Sequence, residues 1–144
     1  MSTQANSQPE TVRNQPRPRI LIADDEEPLL RLLEMKFSLA GFEVVAARDG
    51  QEAWNAACAG AFDLVITDYR MPGMDGLELC RRLLERPETH EVPVIVITSP
   101  WCKIGDRLKE LANVVALIEK PLTLRQLVAT ASALVRHETS RRTG

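Results

Sequence analysis

Residues 62 to 76 read Phe-Asp-Leu-Val-Ile-Thr-Asp-Tyr-Arg-Met-Pro-Gly-Met-Asp-Gly. Leu64 to Thr67 is an apolar, mostly β-branched run bounded by turn-forming residues. That is the pattern of a strand buried on both faces, and such strands belong to parallel sheets covered by helices. The run stops at a carboxylate, Asp68. A loop with Pro72 and Gly73 follows, and Asp75 stands where it can cap the next helix. In open α/β sheets, ligands bind beyond the carboxyl ends of the strands. Asp68 occupies that place.

Outward from this stretch the same alternation continues. Strands are expected over residues 19–23, 42–47, 92–98 and 114–118. The first helix carries Pro28 in its first turn, where a missing N–H costs little. Its Leu30, Leu33, Phe37 and Ala40 share one face, and Gly41 closes it. Asp49 can cap a helix from Gly50 to Ala59. In the helix after Asp75, Leu77, Cys80 and Leu84 point inward. Residues 103–111 form a weaker helix, because Gly105 lies inside its pattern. Thr123 and Gln126 have capping-box spacing for the last helix, whose stripe is Leu124, Leu127, Val128, Ala131, Leu134 and Val135. Five strands alternating with five helices imply an α/β fold. The expected form is a flavodoxin-like, doubly wound, five-stranded parallel sheet of order 2-1-3-4-5, with helices on both faces.

The chain has 144 residues, 44% apolar and 26% charged, with a net charge of −2. These values suit one globular domain and point away from nucleic acid or an anionic membrane surface. No apolar run reaches bilayer length, and the polar N-terminus is no secretory signal. Residues 1–18 read as a disordered tail, 19–136 as the folded domain, and 137–144 as a flexible tail or the start of a linker. Cys58, Cys80 and Cys102 have no metal-ligand spacing and fit reduced thiols of a cytoplasmic protein.

The chemistry gathers at the strand ends. Asp24 and Asp25 end the first strand, Asp68 the third, Thr98 the fourth and Lys120 the fifth. In a parallel sheet those ends share an edge. Three crowded carboxylates repel one another, and a hard cation relieves the repulsion. An open, all-oxygen site suits Mg²⁺, which keeps several of its waters. Thr98 can donate a hydrogen bond to a phosphoryl oxygen, and Lys120 can place a positive charge on another. Positioning and electrostatics are most of what phosphoryl transfer requires. Asp68 is thus read as a nucleophile that accepts a phosphoryl group.

Taken together, Ile-Leu-Ile-Ala-Asp-Asp-Glu (20–26), the run from 63 to 76, Val-Ile-Val-Ile-Thr-Ser (94–99) and Glu-Lys-Pro-Leu (119–122) resemble the receiver domain of bacterial two-component response regulators. The resemblance spans about residues 19–136. It implies that Asp68 takes its phosphoryl group from a phosphohistidine on a sensor histidine kinase or phosphotransfer protein. It implies direct Mg²⁺ ligation by Asp25, Asp68 and the backbone carbonyl of Arg70, with Asp24 acting through water. Thr98 and Lys120 match the family's switch threonine and lysine. A domain of this kind acts as a switch or relay and is not a multiple-turnover enzyme. Its implied output face is helix 4, strand 5 and helix 5, engaging a protein target as a monomer or a weak phosphorylation-dependent dimer.

The sequence departs from the family pattern in places. Three residues before the lysine the family commonly has Tyr or Phe, whose rotation carries the signal outward; here it is Leu117. Ala112-Asn113 replaces the usual Gly-Ala pair, and Pro100, Trp101 and Gly105 make the adjoining helix atypical. These features motivate an alternative, a pseudo-receiver scaffold that binds its partner without phosphorylation. A hydrolase of the haloacid-dehalogenase type carries a second aspartate two residues after the nucleophile, where this chain has Arg70. Away from the site, Asp75 reads as a cap and Trp54 as packing or surface. Trp101 reads as an exposed contact or packing, His90 and His137 as solvated, and the Arg-rich end as a solubilising tail.

Overall fold

Strand β1 (Arg19–Ala23) lies inside the sheet because almost nothing in it is polar. It pairs in parallel with β2 (Glu43–Ala47) on one side and β3 (Leu64–Asp68) on the other. Beyond β3 come β4 (Val94–Thr98) and β5 (Val114–Glu119), also parallel. The sheet order is therefore 2-1-3-4-5, as expected from the sequence. The structure is a computed structural model that describes residues 17–143, with side chains through residue 136.

The strand side chains divide between two cores, as the period of two requires. Ile20, Ile22, Leu64, Ile66, Ile95 and Ile97 face helices α1 (Glu27–Leu39) and α5 (Leu124–Thr143), meeting Leu33, Phe37, Leu127 and Ala131. Leu21, Val65, Val94 and Val96 face α2 (Gly50–Ala59), α3 (Gly76–Glu85) and α4 (Gly105–Lys109), meeting Ala53, Leu79, Leu83 and Leu108. Phe37 is fully buried and packs edge-on against Phe42, with centroids 5.3 Å apart. Truncating such a ring to alanine typically costs about 3–5 kcal/mol.

The helix ends follow their local chemistry. Asp49 accepts a hydrogen bond from the Glu52 N–H at 2.8 Å, and Asp75 accepts one from Glu78 at 2.9 Å. Each side chain satisfies a donor that the first helical turn leaves open. Helix α1 is followed, after its C-cap Ala40, by Gly41, whose φ of 101° suits a residue without Cβ. The Thr123 hydroxyl caps α5, accepting from the Gln126 N–H at 3.2 Å.

Some boundaries differ from expectation. Helix α4 has only five residues, and its N-cap position, Ile104, offers no side chain to cap it. Strand β4 starts at Val94, since Pro93 has no N–H, though its carbonyl accepts from Val65 at 3.0 Å. Helix α5 continues through the expected tail to Thr143, with no proline or glycine between residues 136 and 143 to stop it. Ala40 is exposed as the C-cap of α1, and in α3 Leu79, Cys80 and Leu83 are fully buried while Leu84 is not. The expected N-terminal tail lies outside the described residues up to residue 16. Pro18 is already tied to the sheet, its carbonyl accepting from the Glu43 N–H at 2.8 Å. The side chain of His137 also lies outside the described residues.

Candidate functional site: an acidic pocket at the strand ends

The pairing of β1 with β2 runs one residue past the strand, the Asp24 N–H donating to the Ala47 carbonyl at 3.1 Å. Asp24 is thereby held inside, 1% exposed, while Asp25 is exposed. One Asp24 oxygen, Oδ1, accepts from the Glu26 N–H at 2.8 Å. The other, Oδ2, is buried with no hydrogen-bond partner among the described residues. Asp68 is the last residue of β3, opposite Ile97 of β4, and is 4% exposed. One oxygen from each of Asp24, Asp25 and Asp68 lies within 4.8 Å of the others.

Lys120 follows β5. Its N–H donates to the Thr98 carbonyl at 2.8 Å, and its ammonium donates to Asp68 Oδ2 at 3.2 Å. The ammonium also lies 3.7 Å from Glu26 Oε1. The Lys120–Pro121 peptide is cis. Thr98 is buried at the end of β4, one residue beyond Asp68's neighbour Ile97. Arg70 has an exposed side chain, and its backbone N–H bonds to the Asp68 carboxylate. Asp25 and Arg70 line one open pocket with Tyr69, Met71, Pro72 and Asp75.

The charges are under strain from desolvation. Burial pushes Asp24 up to about 6, with Asp68 adding to the rise, against the Glu26 N–H and Lys120. Burial also raises Asp68, against the hydrogen bond and charge of Lys120. Burial lowers Lys120, but the Asp68 hydrogen bond and the surrounding carboxylates outweigh it, and its pKa is raised. Lys120 thus compensates only part of the charge. A buried carboxylate oxygen without a donor, next to two more carboxylates, suits a hard divalent cation. The donor set is all oxygen, which fits Mg²⁺.

Two close approaches hold the loop after Asp68. A Cβ on Gly76 would lie 2.8 Å from the Asp68 carbonyl oxygen and 2.9 Å from Tyr69 Cα. The Gly76 N–H bonds to the Tyr69 carbonyl at 2.8 Å, so α3 starts directly against the end of β3. Gly50 at the start of α2 abuts the backbone of Met74 in the same way.

The five side chains expected to converge do lie at one edge. The sequence reading missed Glu26, whose signal was its place as a third acid after Asp24-Asp25. Leu117 lines a cavity of about 430 Å³ with Thr98, Cys102 and Gly105. Trp101 is 78% exposed, Trp54 packs half-buried against the core, and Asp75 is a cap. His90 is exposed, its Nδ1 2.8 Å from the Pro87 carbonyl.

Residues 20–132 match the family model described as the response regulator receiver domain. Among curated proteins, the response regulator PleD of Caulobacter vibrioides is 38% identical over 119 residues, 82% of this chain and 26% of that protein. The phosphate regulon transcriptional regulatory protein PhoB of Rhizobium meliloti is 37% identical over 120 residues, 83% of this chain and 52% of that protein. The chain thus spans between about a quarter and half the length of these relatives. Among solved structures, the signal receiver domain of an HD domain-containing protein from Pseudomonas fluorescens superposes with a TM-score of 0.79 at 25% identity. That match covers 87% of this chain and 99% of the other. The chemotaxis response regulator CheY4 of Vibrio cholerae gives 0.76 at 24% identity, over 83% and 99% of the two chains, and bears on the fold alone.

Proposed function

The chain belongs to the response regulator receiver domain family, and we propose that it accepts a phosphoryl group on Asp68 in two-component signalling. The observation that carries this reading is the meeting of three carboxylates within 4.8 Å, with the Lys120 ammonium 3.2 Å from Asp68. The phosphodonor is a phosphohistidine on a sensor histidine kinase or phosphotransfer protein. An Asp68 carboxylate oxygen attacks the phosphorus; the P–O bond forms, the P–N bond breaks, and the imidazole leaves with the electron pair. Lys120 then lies beside the new phosphoryl oxygens, and the Thr98 hydroxyl donates to one of them. Asp24, Asp25, Asp68 and the Arg70 carbonyl would hold Mg²⁺, which offsets charge on the carboxylates and the phosphoryl group. The protein acts as a phosphoacceptor rather than a multiple-turnover enzyme. Its output goes to a protein target through α4, β5 and α5, as a monomer or a weak phosphorylation-dependent dimer in the cytoplasm. Among the described residues no helix is long and apolar enough to cross a membrane.

Acetyl phosphate with Mg²⁺ tests the assignment by intact mass. The wild-type chain is expected to gain one phosphoryl group, and Asp68→Asn none. No gain in the wild type would favour a phosphorylation-independent scaffold, and an undiminished gain in Asp68→Asn would overturn the choice of residue.

A further inference from the structure

A second polar concavity lies beside the acidic pocket, between the β3–α3 loop, α3 and α4. It encloses about 570 Å³ and is lined by Tyr69, Met74, Leu77, Arg81, Arg82 and Arg107, among others. It shares Tyr69 and Asp75 with the Asp25 pocket, but Asp24, Asp25, Asp68 and Lys120 do not line it.

Its anionic side chains are already engaged. Asp75 caps α3, and Glu78 pairs with Arg82 at 2.9 Å. Arg81 and Arg107 are exposed and have no ion pair among the described residues. Arg81, Arg82 and Arg107 outnumber the lining carboxylates Asp75 and Glu78, which gives the hollow a local preference for anions. Their planar donor forks match phosphate oxygens. The remaining wall is apolar or aromatic. Leu77 is buried, Met74 is half-buried, and Tyr69 presents a partly exposed ring. Tyr69 and Arg107 line the same hollow; burial, Asp75 and Cys102 raise the Tyr69 phenol, against the charges of Arg107 and Arg70. The volume falls within the usual range for small-ligand sites, about 300–1,000 Å³.

We propose that this pocket binds a nucleotide, its phosphates held by Arg81 and Arg107 and its base lying against Tyr69 and Met74. A mixed wall of ring, thioether and guanidinium inside a concavity favours a small phosphate-bearing ligand over an acidic protein surface. The site does not depend on Asp68 acting as phosphoacceptor.

Calorimetry on the full chain in EDTA tests it, with ATP, GTP, inorganic pyrophosphate and a polyglutamate peptide as separate titrants. One nucleoside triphosphate is expected to saturate a single site and to bind at least about tenfold more tightly than pyrophosphate. The double variant Arg81→Ala/Arg107→Ala is expected to lose at least about tenfold in affinity. Asp68→Asn is expected to bind as the wild type does, which separates this site from the phosphoacceptor. The proposal is overturned by no saturation with either nucleotide, by equal affinity for pyrophosphate, by undiminished binding in the double variant, or by tighter binding of polyglutamate.

Discussion

The ammonium of Lys120 reaches Oδ2 of Asp68 at 3.2 Å, across the end of β4 and from 52 positions later in the chain. Its backbone is pinned beneath that reach, because the Lys120 N–H donates to the Thr98 carbonyl. One hydrogen bond between main chains thus aligns three of the expected site residues.

Removing the Lys120 ammonium should separate the two tasks of the pocket. In Lys120→Met, Mg²⁺ loses a competing cation, so its affinity is expected to tighten a few-fold. Phosphorylation by acetyl phosphate should slow by at least about tenfold, because the charge beside the transferring group is gone. Calorimetry and a mass time course read the two effects, and a parallel loss of both would contradict this division.

Asp25 is the exposed member of the acidic set. Asp25→Ala should weaken Mg²⁺ binding by about tenfold or more, as a direct oxygen ligand is lost. Stability without metal should stay within about 0.5 kcal/mol, the usual range for surface changes. A titration with Mg²⁺ and a denaturant melt in EDTA check the pair.

The folded-state pKa of Asp24, about 6 against an ordinary 3.8, gives a pH dependence of definite sign. The folded protein holds this proton more tightly than the unfolded chain does. The resulting stability is complete below about pH 4 and is lost as pH rises through about 6, a loss on the order of 3 kcal/mol. In EDTA, wild type should gain stability between about pH 7.5 and pH 5 relative to Asp24→Asn. Equal pH slopes for the two proteins would show that burial does not strain this carboxylate.

Gly76→Ala forces a methyl group against the Asp68 carbonyl and Tyr69 Cα, both backbone atoms with little room to move. Destabilisation of about 1–3 kcal/mol is expected, together with slower phosphorylation because the end of β3 shifts. Urea unfolding and the mass assay measure both. Wild-type values would mean that the loop after Asp68 adjusts freely.

Much of this was legible in the sequence, for local reasons. The bounds of α2 and α3 are readable because Asp49 and Asp75 are caps that act within three residues. Asp24, Asp25, Asp68, Thr98 and Lys120 are readable as candidates because each stands at or just past the end of a strand. Helix α4 was harder, since Gly105 and an uncapped Ile104 leave its start to tertiary packing. Which of two adjacent aspartates is buried is not a local property. The extension of β1 pairing onto Ala47 turns Asp24 inward and leaves Asp25 outside. The reach of Lys120 toward Glu26 joins distant segments and leaves no spacing to read.

Strand β3 is apolar toward both cores, Leu64 and Ile66 toward one and Val65 toward the other. A one-residue slip in most sheets is punished because polar groups are driven inward. Here a slip would exchange aliphatic side chains for one another, with Thr67, buried and donating to the Asp68 carbonyl, the one polar side chain before Asp68 to change faces. The reading frame of the central strand is therefore kept by its exit, where Gly76 and the Tyr69 carbonyl lock the helix against it. A single-residue insertion just before Asp68 would leave two well-filled cores and a nucleophile aimed at the wrong neighbour.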